Sequence, residues 1–293
     1  MMWGMDPELA ALPIRDERVR RIAVSAAKGG GGLLGVGTAL AGAAIGVVAI
    51  QARLARRAIG PRRSVPPYAD GRYQPPVDRP RGTSLRLAVL GDSGAAGLGA
   101  DDPAETPGAV LARGLAAAAG RTVVLTNVAV VGARSVDLEA QVDRVLVVRP
   151  HVAMIMIGAN DVTHLVRPQD AVRHLGVAVG RLRAAGTEVV VGTCPDLGTV
   201  RPIAPPLKHL ARRLSRELAA AQYIAVRRSG GRPVPLAQIL ADAFDAEPEH
   251  FFSADRFHPS AAGYAACAEA LLPEVLAAVG LGTDDPRSAL PSA

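Results

Sequence analysis

The chain has 293 residues, 49% hydrophobic and only 3% aromatic, with a formal net charge of +6. That allows one sizeable core built from Ala, Val and Leu, and the shortage of aromatics argues against a base-stacking platform for single-stranded nucleic acid. Cys194 and Cys267 are the only cysteines and form no C-x-x-C pair, which argues against a metal site or a disulfide framework. Buried free thiols are the default for them, with a 194–267 disulfide as the alternative.

Residues 1–28 form a basic N-terminal segment containing Arg15, Arg18, Arg20, Arg21 and Lys28. Residues 29–50 carry no charge and are rich in Gly and Ala. Their length matches the ~20 residues that cross a bilayer as a helix, so they predict a membrane span. A cleaved signal peptide fits less well, because Arg53, Arg56 and Arg57 follow at once. Basic residues flank the span on both sides, so the positive-inside rule chooses no orientation. Residues 51–83 are rich in Arg and Pro and predict an extended linker. Its arginines suit either solvent or anionic lipid headgroups. No nucleic-acid-reading motif accompanies them, so no nucleic-acid partner is expected.

From residue 84 to 280 apolar strands alternate with helices. Strands are predicted at Leu85–Leu90, Thr122–Val128, Val152–Ile157, Glu188–Thr193 and Val234–Leu236. Helices are predicted at Pro107–Ala119, Ser135–Val147, Pro168–Ala185, Ala204–Arg227 and Ser260–Val279. Alternation of this kind implies a parallel sheet covered on both faces, with reacting groups at its C-terminal edge. Residues 281–293 read as a disordered tail.

Four segments at strand ends or in a late loop carry chemistry. Ser93 follows the first strand in GDSGAAGLG. Its glycine spacing departs from a dinucleotide fingerprint, and no Gly-Lys-Ser/Thr makes a phosphate loop. Gly132 follows the second strand and offers a backbone N–H; Asn160 follows the third and offers a side-chain amide. Asp255 and His258 stand three apart before the last helix, a spacing that puts both on one side. A nucleophile, oxyanion donors, a base and an orienter of the base are the parts that acyl transfer through an activated serine requires. The other histidines lack such a partner in the sequence. The stretches Gly94–Pro107 and Asp196–Pro206 are the expected pocket walls.

These segments, GDSGAAGLG, NVAVVGARS, GAND and DRFHP, resemble the blocks of the SGNH (GDSL-like) hydrolase family, over about residues 84–280. The resemblance implies a three-layer α/β/α sandwich with a central parallel sheet, a flavodoxin-like SGNH fold, here preceded by the N-terminal hydrophobic helix. It implies Ser93, Asp255 and His258 as the catalytic set and Ser93, Gly132 and Asn160 as the oxyanion hole, with neither metal nor organic cofactor. A small-molecule or lipid ester is the implied substrate, and oligomeric state is left open. Acyl transfer or deacylation on a cell-envelope polysaccharide uses the same machinery; a membrane-anchored, non-catalytic binding protein is a third reading. Gly94 replaces the family's usual aliphatic residue, and Ala129 replaces a glycine common in the second block. The G-x-S-x-G elbow is absent, so Ser93 is expected on a flexible surface loop.

Overall fold

The computed structural model describes residues 65–77 and 80–281, together with a few positions between 50 and 57. The basic segment, the apolar run up to residue 49 and the tail beyond residue 281 lie outside the described residues. All elements below belong to the unit that begins at Leu54.

The sheet has six strands: β1 (Gly71–Tyr73), β2 (Leu85–Gly91), β3 (Val123–Asn127), β4 (Val152–Met156), β5 (Glu188–Gly192) and β6 (Arg232–Val234). Their order is β1-β3-β2-β4-β5-β6. Strands β2 to β6 are parallel to their neighbours, whereas β1 runs antiparallel to β3. The sheet is therefore mixed, not purely parallel. Its extra strand comes from the stretch predicted as linker, where the prolines hid a short edge strand. Asp70 Oδ1 accepts the Asn127 N–H at 2.8 Å, which ties that stretch to the end of β3.

The helices are α1 (Ser93–Ala96), α2 (Pro107–Ala119), α3 (Leu138–Leu146), α4 (Ala159–Thr163), α5 (Pro168–Ala184), α6 (Leu207–Arg228), α7 (Leu236–Ala246), α8 (Pro248–Phe251) and α9 (Ala261–Ala278). Side-chain alternation along the strands sends Leu87, Val89, Met154 and Val190 to the face covered by α2 and α9. It sends Ala88, Leu90, Ile155 and Val191 to the face covered by α3, α5 and α6. Both faces are dry, so the strands read as continuous apolar runs.

Two local differences from the sequence expectation have simple causes. Helix α6 starts at Leu207 because Pro205 and Pro206 cannot continue the amide ladder. Helix α7 has no counterpart among the predicted elements, although Leu236, Leu240, Ala241 and Phe244 recur at helical spacing. Helix α9 is long and apolar enough to cross a membrane by length and composition. Here Tyr264, Leu271 and Val275 are fully buried in the core, and the Tyr264 hydroxyl donates to the Leu98 carbonyl at 2.5 Å.

Candidate active site

The chain leaves β2 through Gly91, whose φ is 136°. A Cβ there would lie 1.8 Å from the Met156 carbonyl oxygen, so only glycine fits beside β4. Asp92 then caps a short helix, its Oδ1 accepting the Gly94 N–H at 2.9 Å. Ser93 is the first residue of that helix, not part of a flexible loop, and it has no strained positive φ.

His258 comes from the turn before α9. Its Nε2 lies 3.0 Å from Ser93 Oγ, and its Nδ1 lies 2.6 Å from Asp255 Oδ2. A carboxylate only accepts, so the geometry assigns the proton to Nδ1 and leaves Nε2 to accept from the serine. The other Asp255 oxygen accepts from Ser253 Oγ and from the N–H groups of Phe257 and His258, each at 2.9 Å. Burial works against the Asp255 charge. The His258 ring and these donors outweigh it and hold the carboxyl well below the usual carboxylate range. Phe257 packs edge-on against the imidazole with centroids 4.8 Å apart.

Two further loops, after β3 and β4, are tied to each other. Asn160, on α4, donates from Nδ2 to the Ala133 carbonyl at 3.0 Å, and among the described residues its second amide hydrogen has no partner. Asp161 accepts from the Ser135 N–H and from Ser135 Oγ, the latter at 2.9 Å. These bonds clamp the loop after β3, where Gly132 takes φ 85°. Among the described residues, the N–H groups of Ser93 and Gly132 have no hydrogen-bond partner.

Burial raises the Asp92 pKa to about 6, despite the Gly94 N–H and the nearby His258 ring, which both favour its charge. Cys194 and Cys267 are free and buried, and burial pushes the Cys267 thiol up to about 12. Among the described residues, no group of His, Cys, Asp or Glu is arranged to hold a metal ion. His164 contacts the Asn160 carbonyl from an exposed position, and His174 meets Glu139 at 3.3 Å on the surface.

Sequence reasoning missed two buried glutamines. Gln141 of α3 accepts the Gly91 N–H at 2.7 Å and donates to the Gly91 carbonyl at 2.9 Å. Gln222 of α6 accepts the Cys194 N–H at 2.7 Å and donates to the Ile157 carbonyl at 3.0 Å. Their one signal is an amide on the apolar face of an amphipathic helix. The expected wall Asp196–Pro206 does line the cavity beside Ser93, through Asp196, Leu197, Thr199 and Val200. The stretch Gly94–Pro107 contributes only Gly94.

A serine, a histidine and an aspartate in one hydrogen-bonded chain at the C-terminal edge of a three-layer α/β sheet are the parts of a serine-dependent hydrolase. Residues 89–266 match the family model of the GDSL-like lipase/acylhydrolase family. Over 249 residues the chain is 45% identical to the GDSL-like esterase Rv1075c of Mycobacterium tuberculosis, covering 82% of this chain and 79% of that protein. The chain belongs to the GDSL-like lipase/acylhydrolase family, and it is a carboxylic ester hydrolase of that type. Among solved structures, TesA superposes with a TM-score of 0.55 at 22% identity, covering 66% of this chain and 99% of TesA. The lipase/acylhydrolase from Enterococcus faecalis superposes at 0.53 with 22% identity, covering 65% and 95%. At those identities the likeness shows the fold.

Proposed function

We propose that the chain is a serine esterase that cleaves carboxylic esters through an acyl-enzyme at Ser93. The observation that carries this reading is the continuous Ser93–His258–Asp255 hydrogen-bond chain. Ser93 Oγ attacks the ester carbonyl carbon while its proton passes to His258 Nε2. Negative charge on the carbonyl oxygen meets the N–H groups of Ser93 and Gly132 and the Asn160 amide, each worth about 10²–10³ in rate. The intermediate collapses as His258 returns the proton to the departing alkoxide, and the acyl group stays on Oγ. Water then attacks, gives its proton to His258, and the acid leaves as that proton returns to Ser93 Oγ. Asp255 holds the ring in the required tautomer and stabilises the imidazolium.

The lining of the adjacent cavity favours an apolar acyl group over a small polysaccharide-borne one, since Met156, Leu236, Phe244 and Phe252 contribute to its wall. The uncharged run 29–50 supports a membrane tether, which would hold the site near lipid esters. Hydrolysis of p-nitrophenyl butyrate by the full chain is expected to fall by at least 10³-fold in Ser93→Ala. Labelling by a fluorophosphonate probe is expected to vanish in that variant. Retained activity with retained labelling would remove Ser93 from the mechanism.

A further inference from the structure

The cavity beside Ser93 holds about 110 Å³. It runs from the serine past Met156 and Ile157, at the end of β4, and under α7, which supplies Leu236, Leu240 and Phe244. A second cavity of about 560 Å³ lies between α6 and α7, with Arg216, Tyr223, Gln238 and Asp242 in its wall. Thr193 and Ala241 line both cavities, so these two side chains stand at the partition. Both are buried, at 1% and 6% exposure. Among the described residues, Thr193 Oγ1 is the buried side-chain polar atom without a hydrogen-bond partner. The bonding of the fold therefore does not call for a hydroxyl there. A β-branched side chain of that volume does, however, close the wall.

On the reading that Ser93 carries the acyl group, we propose that Thr193 and Ala241 form the floor of the acyl site and set the longest chain it accepts. Gly91, Met156 and Gly192 stand in register across β2, β4 and β5. Thr193 thus lies two strand spacings from the strand that leads to Ser93, about 10 Å away. A zigzag alkyl chain with bonds of about 1.5 Å spans that distance in about eight bonds. The cavity volume is of the order that admits a small apolar ligand rather than a long lipid chain. The accepted acyl groups are therefore short to medium, up to about eight carbons. The larger cavity beyond the floor is space that a longer chain enters once the partition is trimmed.

The test is the chain-length profile of the full-length protein on p-nitrophenyl esters from acetate to laurate. In the wild type, kcat/KM is expected to fall at least tenfold between octanoate and laurate. In the double variant Thr193→Ala/Ala241→Gly, the laurate-to-butyrate ratio is expected to rise at least tenfold. In Ala241→Leu, the octanoate-to-acetate ratio is expected to fall at least tenfold. Ratios within one preparation do not depend on how much of a variant folds. A wild type that cleaves laurate as well as butyrate overturns the proposal, as do ratios within twofold of wild type in both variants. No hydrolysis of any ester by the wild type would remove the esterase reading and the floor with it, a result distinct from unchanged ratios in an active enzyme.

Discussion

Asp92 shows how one residue carries opposing demands. Its carboxylate caps the helix that presents Ser93, yet it is buried near His258, and burial lifts its pKa to about 6 from 3.8. The folded state therefore holds the proton more tightly than the unfolded chain does. The stability this contributes is fully present below the unfolded value and is lost as pH rises through the folded one. Asp92→Asn keeps an Oδ1 acceptor for the Gly94 N–H and removes the titration. We expect the variant to be more stable than wild type at pH 8 by on the order of 2–3 kcal/mol, with the difference vanishing near pH 4. Urea unfolding of both proteins at pH 4, 6 and 8 measures this, and a constant difference across that range would contradict it. Gly94 makes the opposite kind of contribution. A Cβ there would approach Asp92 Oδ1 at 3.4 Å and Met156 Cε at 3.6 Å, so the missing side chain leaves the cavity mouth open.

Helices α3 and α6 do more than cover the sheet. Each sends one glutamine to the carboxyl ends of the strands, where backbone groups lose their ladder partners. Gln141 satisfies both polar groups of Gly91, two residues before the serine. Gln141→Leu would leave the buried Gly91 N–H unpaired, while the Gly91 carbonyl keeps the Val130 N–H at 3.1 Å, at a cost of about 1–3 kcal/mol. The effect should reach catalysis, because Gly91 sets the direction in which Asp92 and Ser93 leave the sheet. A lower urea midpoint together with a reduced kcat in the remaining folded enzyme is the expected result. A midpoint equal to wild type would show that the amide is dispensable. Helix α7, by contrast, serves the site through shape: its apolar face lines the cavity beside Ser93.

For the whole molecule, the unit that folds begins earlier than the alternating pattern suggests. Strand β1 covers the edge of β3, Ala69 joins the core, and Tyr73 donates to the Ala69 carbonyl at 2.6 Å. A chain starting at residue 84 would expose the β3 edge and lose the Asp70–Asn127 bond, whereas one starting at residue 65 keeps both. Bare edges invite pairing between molecules. The shorter chain is therefore expected to have a Tm lower by about 5–10 °C and to aggregate more readily, as thermal scans and size-exclusion chromatography would report. Equal Tm and equal solubility would mean that β1 contributes nothing.

The hydrogen-bonded set Ser93, His258 and Asp255 was legible as a candidate site because chemistry restricts the identity of such residues and because strand ends in a parallel sheet converge on one edge. Gly132 and Asn160 were legible as candidate oxyanion donors by the same reasoning, and that role is part of the proposal. The strands and most helices were legible as well, since each buries a continuous apolar run or stripe that needs no distant partner to be recognised. Three features depended on contacts between segments far apart in the chain. Strand β1 has a composition that reads as linker, and it is a strand only because β3 offers it an unpaired edge. Gln141 and Gln222 are ordinary helix residues until Gly91, Ile157 and Cys194 present bare backbone groups to them. The partition at Thr193 and Ala241 exists only where β5 and α7 meet, because a cavity is a property of packing and has no local signature in the chain.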